Sequence, residues 1–377
     1  MSDTVALSIL ARQPLCRPEV SGLPRYNAGL SEDEVRRRYG LKNIVKLGSN
    51  ENPYGPSPRV KAGWDELAGR LGRYPDAGAA TLRTDIAKVC DIAHDRVLVG
   101  NGSEQIIRMI AEAYLSPQER VVTVRPAFGL HEICPRMMGA VVDAVPITDQ
   151  ATFDCAAMQE AVQRPTKILM FANPSNPVGC MMTGDALQDL IDSCPPHALI
   201  VVDEAYREYA EQDPDYADAR TILEKQTRPW IILRTFSKAY GLAALRIGYA
   251  LTSSAEVAAT LDSVRDPFNT NMPAQVAACA TLADTAYMQD CVRKTVAERE
   301  RVVQFLVAQG FFVAPTWTNF VFVRTLMKAD KLATALLEQG IIIKPWKEAG
   351  FENWIRISIG LPEENNIVLR ALADLVL

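Results

Sequence analysis

Seven short apolar runs, separated by segments with helical periodicity, constrain the fold of this 377-residue chain more than any other feature of its sequence. Each run has the length of a strand and is rich in strand-forming or apolar residues. The runs are Val97–Val99, Val121–Val124, Val141–Val145, Lys167–Phe171, Ala198–Val202, Trp230–Leu233 and Ile247–Leu251. This alternation predicts an α/β fold with a mostly parallel seven-stranded sheet flanked by helices. Ligands of such sheets bind beyond the carboxyl ends of the strands.

The pattern changes after Pro267. A long helical stretch is predicted from about Ala274 to Gln309, and shorter strand and helix patterns follow it. We therefore predict a large domain over residues 46–268 and a small α+β domain over residues 269–377. The arm formed by residues 1–45 is rich in turn residues and is expected to join the small domain.

Composition and charge exclude several classes of protein. The 40 Lys and Arg against 45 Asp and Glu give a net charge of −5 without a basic block, so neither nucleic acid nor an anionic membrane is an expected partner. No apolar run approaches the roughly 20 residues of a membrane-spanning helix, and no signal peptide pattern is present, so we expect a cytoplasmic protein. The 8 cysteines are scattered, which argues against a zinc site or a disulfide framework.

The segment from Thr235 to Tyr249 places Lys238 just beyond a predicted strand. Two hydroxyl residues, Thr235 and Ser237, precede the lysine, and Arg246 follows it. A lysine in this place can form a Schiff base with an aldehyde cofactor. Hydroxyl groups and an arginine can hold the phosphate of that cofactor. A single loop lysine is ordinarily a solvated residue, but this flanking pattern favours the chemical role.

A second motif places Asp203 directly at the end of an apolar run, with Tyr206 three positions later. A carboxylate there can pair with a protonated pyridine nitrogen, and a tyrosine can hydrogen-bond a ring oxygen. Alone, an aspartate at a strand end is ordinarily a helix cap. The lysine downstream favours the catalytic interpretation.

A third motif, Asn173-Pro174-Ser175-Asn176-Pro177-Val178-Gly179, follows another predicted strand. The X-Pro steps fix the backbone, so the Asn176 amide can donate to the same ring oxygen, and one X-Pro bond is hypothesised to be cis. A simple turn would explain the prolines and the glycine but not both asparagines.

A fourth motif, Gly100-Asn101-Gly102-Ser103-Glu104-Gln105, joins the first run to a helix. Small residues let the backbone approach a phosphate, and a helix N-terminus supplies N–H donors. A G-x-G pattern is a weak signal by itself and gains weight only beside the lysine and the aspartate.

In this order, the four motifs resemble those of the fold-type-I pyridoxal-phosphate aminotransferases. Three further segments narrow the resemblance to the histidinol-phosphate aminotransferase group: Asn50-Glu51-Asn52-Pro53-Tyr54-Gly55-Pro56, Tyr74-Pro75-Asp76 and Ile355-Arg356-Ile357-Ser358-Ile359-Gly360. The resemblance spans Leu23 to Leu377. It implies pyridoxal 5′-phosphate as cofactor and a ping-pong transamination between an amino donor and a 2-oxo acid, 2-oxoglutarate. The donor would be histidinol phosphate or an aromatic or related amino acid.

The resemblance also implies a role for each matching residue at the cofactor. Lys238 would form the Schiff base and carry the proton, Asp203 would hold the pyridinium nitrogen, and Tyr206 would bind the ring oxygen together with Asn176. Phe128 would stack on the ring. The residues expected at the phosphate are Gly102, Ser103, Thr235, Ser237 and Arg246.

Further residues would bind the substrate or the neighbouring subunit. Tyr54 matches a tyrosine that such dimers supply to the neighbouring phosphate site, which implies a homodimer. Tyr26, Asn52 and Arg356 would bind the substrate, and Arg356 would grip its acidic group.

Three positions depart from the family pattern. Lys344 stands where an arginine commonly helps to bind the substrate phosphate, and a lysine lacks the bidentate fork. His131 replaces a tyrosine, and Ala244 replaces a glycine. If His131 and Trp346 face the pocket, they favour an aromatic or imidazole substrate, but both can equally be packing residues.

Two other functions stay open at this point. A phosphothreonine-type decarboxylase resembles this family and shares the lysine and the aspartate. A catalytically silent cofactor-binding module is disfavoured, because the expected catalytic positions are all occupied.

Overall fold

The computed structural model describes residues 16–24, 29–62 and 64–376. Its strands, numbered in chain order, are β1 (Val45–Lys46), β2 (Val97–Gly100), β3 (Arg120–Arg125), β4 (Val141–Pro146), β5 (Ile168–Ala172), β6 (Leu199–Asp203), β7 (Trp230–Thr235), β8 (Gly248–Thr252), β9 (Phe312–Val313), β10 (Phe320–Arg324), β11 (Ile341–Ile342), β12 (Lys344–Pro345) and β13 (Trp354–Ser358).

The α-helices are α1 (Glu32–Tyr39), α2 (Arg59–Ala62), α3 (Trp64–Ala68), α4 (Ala80–Cys90), α5 (Gly102–Tyr114), α6 (Leu130–Met137), α7 (Cys155–Gln163), α8 (Gly184–Asp192), α9 (Arg207–Ala210), α10 (Ala219–Leu223), α11 (Ala255–Asp262), α12 (Met272–Leu282), α13 (Thr285–Ala308), α14 (Ala329–Glu338) and α15 (Pro362–Val376). Short 3₁₀ turns span His94–Arg96 and Ala243–Leu245. Among the described residues, no helix is both long and apolar enough to cross a membrane.

The central sheet contains the seven predicted strands in the order β2-β8-β7-β6-β5-β3-β4. Adjacent strands of this sheet pair in parallel, except that β8 is antiparallel to both β7 and β2. The strands β5, β6 and β7 are buried along their whole length. Helices cover both faces of the sheet, which explains why these strands appear in the sequence as continuous apolar runs. The predicted α/β class is confirmed.

A second, antiparallel sheet has the strand order β12-β13-β10-β9. It packs with α14 and α15 around a separate apolar cluster that includes Leu336, Ile355 and Leu372. The strand β1 pairs in parallel with β11, so that Val45 lies opposite Ile341. The chain preceding the central sheet is therefore joined to this second unit. The exact domain bounds stay a prediction.

The helical stretch predicted over residues 274–309 is formed in the structure by two helices, α12 and α13. The first ends at Leu282 and the second begins at Thr285. Between them, the Asp284 carboxylate accepts a hydrogen bond from Ser57 and lies 3.8 Å from Arg59 Nε. These partners are distant in sequence, so the helical periodicity contains no signal for the break.

Candidate active site

The predicted catalytic residues meet at the carboxyl edge of the central sheet. Asp203 is the last residue of β6, and Asn173 follows β5 directly. Lys238 lies three residues beyond β7. Strand β2 runs in the same direction as β7, so the start of α5 at Gly102 reaches the same edge. Parallel neighbours place their carboxyl ends side by side, which is why four separate motifs converge here.

Lys238 is held with its amine against the backbone. Its Nζ donates a hydrogen bond to the carbonyl oxygen of Ser49 at 3.0 Å. Burial, and then the positive charge of Arg356, lower the pKa of Lys238 to about 8. The lowered pKa increases the neutral fraction of this amine over that of an ordinary lysine, and the neutral amine is the form that attacks an aldehyde and accepts a proton.

Asp203 has a defined partner for each carboxylate oxygen. Oδ1 accepts a hydrogen bond from the backbone N–H of Ala205 at 3.1 Å, and Oδ2 lies 3.2 Å from Nε2 of His131. Asp203 is only 4% exposed, and His131 is fully buried. Since a carboxylate only accepts, Nε2 of His131 is the donor. His131 therefore supports the aspartate, and its ring meets Phe128 edge-on with the centroids 5.6 Å apart.

Tyr206 lies within the same buried site. Its hydroxyl oxygen accepts a hydrogen bond from Asn50 Nδ2 at 2.8 Å. The ring packs edge-on against Phe320 of β10, with the ring centroids 5.2 Å apart. Tyr206 thus connects the central sheet to the second sheet.

Asn176 contacts the second sheet directly. Its Oδ1 accepts a hydrogen bond from Nη1 of Arg356 at 2.6 Å, which leaves the amide N–H groups as the donors of this side chain. Nη2 of Arg356 donates to the carbonyl oxygen of Gly48 at 3.0 Å. Asn173 has a different role, because its Oδ1 accepts from the backbone N–H of Met182 and holds the turn.

Both X-Pro bonds of this turn are cis, where one was hypothesised. They are Asn173-Pro174 and Asn176-Pro177, and Arg125-Pro126 is a third cis bond.

The residues expected at the phosphate form a second cluster at the start of α5. Nη1 of Arg246 lies 3.4 Å from Ser237 Oγ, and Thr235 Oγ1 accepts from the Ser237 backbone N–H at 3.1 Å. Gly102 has a φ of +73°, and a Cβ there would lie 2.9 Å from Nη2 of Arg246. Glycine therefore suits both the left-handed backbone and the close approach of the guanidinium to the helix start.

Arg356 is accompanied by a second cation. Lys344 on β12 lies opposite Arg356 on β13 in the strand register. Burial, and then the charge of Arg356, lower the pKa of Lys344 to about 8. The neighbouring Trp346 packs edge-on against Phe322, with the ring centroids 5.9 Å apart. This contact favours the packing interpretation of Trp346.

Other predicted residues lie in less direct positions. Asn52 Nδ2 donates to the carbonyl oxygen of Ala239 at 2.9 Å, so the amide holds the segment that follows Lys238. The ring of Tyr54 lies 5.5 Å from Nζ of Lys294, and burial raises the pKa of its phenol. Tyr26 lies outside the described residues.

The segment Gly48–Asn50 was not assigned a role by sequence reasoning. Its consecutive residues contact Arg356, Lys238 and Tyr206 in turn. Two of these contacts use backbone carbonyls, which carry no side-chain signal in a sequence. Asn50 did offer one, because asparagine is favoured at a left-handed backbone and its φ is +55°.

The residues present fit pyridoxal phosphate. A buried carboxylate suits a protonated ring nitrogen, an adjacent amine suits the aldehyde, and an arginine with two hydroxyls and a helix start suits a phosphate. The glycine at position 102 keeps the space between Arg246 and the helix open. The fold and this site together define an enzyme of the fold-type-I pyridoxal-phosphate class.

Comparison with known proteins gives the family. Residues 42–372 match the family model for aminotransferase class I and II. Histidinol-phosphate aminotransferase 1 of Mesorhizobium japonicum is 44% identical over 96% of this chain and 98% of its own length. The chain therefore belongs to the class I and II aminotransferases, whose cofactor is pyridoxal phosphate, and the predicted family is confirmed.

Solved structures agree with this assignment. One is the histidinol-phosphate aminotransferase of Sinorhizobium meliloti in complex with pyridoxal 5′-phosphate. It matches this chain with a TM-score of 0.87 at 27% identity, and the match covers 97% of this chain and 99% of that enzyme. The L-threonine-O-3-phosphate decarboxylase of Porphyromonas gingivalis has a TM-score of 0.76 at 23% identity, covering 88% of this chain and 99% of the decarboxylase. The latter likeness shows the fold alone.

Proposed function

We propose that this aminotransferase moves an amino group from histidinol phosphate, or from an aromatic or related amino acid, to 2-oxoglutarate. The observation that carries the proposal is the pair of cations at Arg356 and Lys344, which lie opposite each other on adjacent strands. Arg356 also contacts Asn176, the residue expected to bind the ring oxygen, which supports a role of this cation pair at the substrate. A guanidinium and an ammonium together suit the anionic end of a donor, phosphate or carboxylate.

Pyridoxal phosphate supplies an aldehyde that condenses with amines and a ring that withdraws electrons from the substrate α-carbon. Asp203, supported by His131, would keep the ring nitrogen protonated. Nζ of Lys238, with its pKa near 8, can take the proton from the substrate α-carbon and deliver it to the C4′ carbon of the cofactor. Positioned proton transfer of this kind contributes on the order of 10²- to 10⁴-fold to the rate.

The test has two parts. Lys238→Ala should abolish transamination while its thermal unfolding stays close to that of the parent protein, and full activity in this variant would refute the role of Lys238. A donor screen at fixed 2-oxoglutarate then compares histidinol phosphate, phenylalanine, tyrosine and histidine. Preference for histidinol phosphate over histidine would support the phosphate donor, whereas preference for a free aromatic amino acid would assign the cation pair to a carboxylate.

The same reactions address the alternative functions. Release of carbon dioxide without formation of glutamate would favour a decarboxylase. A protein that binds the cofactor but shows no spectral change with any donor would favour a silent binding module.

The assembly and the location of the protein are part of this proposal. We expect a homodimer in which Tyr54 reaches the neighbouring phosphate site, and we expect the protein in the cytoplasm. Another tyrosine, Tyr74, is 79% exposed and stacks on Phe268 with the ring centroids 4.4 Å apart. Such an exposed aromatic pair also suits a protein interface. The two tyrosines therefore need to be compared directly.

A further inference from the structure

Asn50 forms hydrogen bonds with three separate parts of the chain. Its side-chain Nδ2 donates to the Tyr206 hydroxyl at 2.8 Å, and its Oδ1 accepts from Ser358 Oγ at 3.0 Å. Its backbone N–H donates to Ser358 Oγ at 2.7 Å, and its carbonyl oxygen accepts from Asn319 Nδ2 at 3.0 Å. Asn50 is only 1% exposed. A buried polar side chain with this many partners is held in one orientation.

This orientation affects the Tyr206 hydroxyl. An amide nitrogen only donates, so the phenol oxygen is the acceptor of the contact with Asn50. The single proton of the phenol must therefore point away from Asn50. A proton that points away from the amide can be donated to an oxygen of a bound ring.

The contact also joins two sheets. Tyr206 follows β6 of the central sheet, whereas Ser358 ends β13 of the second sheet. Asn319 immediately precedes β10, which pairs with β13. Because Asn50 bonds to all three residues, the position of the phenol depends on how the two sheets are packed.

We infer that Asn50 is a positioning residue that directs the Tyr206 hydroxyl proton toward the ring oxygen of pyridoxal phosphate. The inference rests on the proposed cofactor role of Tyr206 and adds a residue that acts through the phenol of Tyr206. A phenol that donates to the ring oxygen stabilises negative charge there. Loss of this donor leaves more negative charge on the ring oxygen. The nitrogen through which Lys238 would be joined to the cofactor lies next to that oxygen, so it would hold its proton more tightly and its pKa would rise.

A purely structural role for Asn50 predicts something different. Asparagine at a left-handed position can simply satisfy a turn, and its replacement would then lower the thermal stability without altering the cofactor. The useful measurement is therefore the pH at which the visible absorption band of the pyridoxal-phosphate-loaded protein titrates. That midpoint reports the protonation of the nitrogen that joins Lys238 to the cofactor, and it is measured without turnover.

The experiment uses the full chain loaded with pyridoxal phosphate. Asn50→Gly keeps the left-handed backbone accessible and removes the amide. It should raise the midpoint by about one pH unit, the size of one hydrogen bond, in the same direction as Tyr206→Phe. The double variant should show no further rise beyond Tyr206→Phe alone. Asn319→Ala is the matched control, since Asn319 bonds to the backbone oxygen of Asn50 and should affect stability alone.

A second variant covers the case in which Asn50→Gly does not fold. Asn50→Asp keeps the shape and the acceptor for Ser358 but cannot donate when ionised. The negative charge of the new aspartate also raises the midpoint. We therefore compare the midpoint shift that Asn50→Asp causes in the parent protein with the shift that it causes in the Tyr206→Phe variant, and subtract the second from the first. A positive difference supports the inference.

Three results would overturn the inference. One is an unchanged midpoint in Asn50→Gly while Tyr206→Phe shifts, and the second is equal shifts of Asn50→Asp in both backgrounds. The third is an unchanged midpoint in Tyr206→Phe, which would remove the phenol from the ring oxygen. The absence of any visible band in the loaded parent protein would be recognisably different, because it would refute the proposed function as well.

Discussion

The buried imidazole of His131 lies 3.2 Å from the carboxylate of Asp203, Nε2 to Oδ2. Both side chains are almost entirely removed from solvent, so water cannot replace this contact. The family resemblance left the role of His131 open between substrate pocket and packing. The structure places the ring beside the aspartate, where it donates to a charged acceptor.

His131→Phe should weaken cofactor binding. The phenyl ring keeps the aromatic contact with Phe128 but removes the donor to Asp203. A hydrogen bond to a charged group contributes about 1.5–3 kcal/mol, so we expect the Kd of the apoprotein for pyridoxal phosphate to rise by roughly 10- to 100-fold. Fluorescence titration measures this Kd, with His131→Gln as the control that can still donate. Equal affinities of His131→Phe and the parent would show that the contact does not support the aspartate.

The rate of cofactor incorporation should depend on pH through Lys238. Only the neutral amine attacks the aldehyde, and burial lowers the pKa of Lys238 to about 8. The rate at which apoprotein and pyridoxal phosphate form the visible band should therefore rise with pH and level off above about 8. A stopped-flow series across this range tests the prediction. A profile that keeps rising toward the pKa of an ordinary lysine would contradict the lowered pKa.

The tyrosine that serves the neighbouring subunit can be identified by paired variants. If Tyr54 binds the neighbouring phosphate, Tyr54→Phe should raise the Kd for pyridoxal phosphate about tenfold, the effect of one hydrogen bond to a charged group. The same change at Tyr74 should then have little effect on that Kd. The reverse result would assign the role to the exposed Tyr74. Analytical ultracentrifugation of both variants shows whether the dimer itself is retained.

Glu208 should make the protein less stable at high pH. This residue of α9 is 6% exposed, and burial raises the pKa of its carboxyl from 4.5 to about 7. A raised folded-state pKa gives stability that is fully present below 4.5 and is lost as the pH rises through about 7. Glu208→Gln removes this dependence, so its free energy of unfolding should exceed that of the parent by up to about 3 kcal/mol above pH 8. Urea unfolding at pH 5 and pH 8.5 measures the difference, which should be small at the lower pH.

Several features of the site were predictable because local pattern and topology act together. The apolar runs indicated the strands, and the residues that follow them, such as Asp203 and Asn176, had to lie at one edge of a parallel sheet. Gly102 was predictable as a place where the backbone can approach a phosphate, because it lies where a strand of this sheet leads into the helix that follows. The assigned catalytic roles stay predictions until the variants are measured.

Other features depended on tertiary structure. The break between α12 and α13 is accompanied by the contact of Asp284 with Ser57, which no helical periodicity contains. The donor from His131 to Asp203 joins residues that are 72 positions apart, and the carbonyl of Ser49 is 189 positions from Lys238. Sequence pattern records which face of an element is apolar, because burial repeats with the period of the backbone. It does not record which polar atoms meet across separate elements, because that depends on how the two sheets pack, and this packing decided how Lys238, Tyr206 and Arg356 are held.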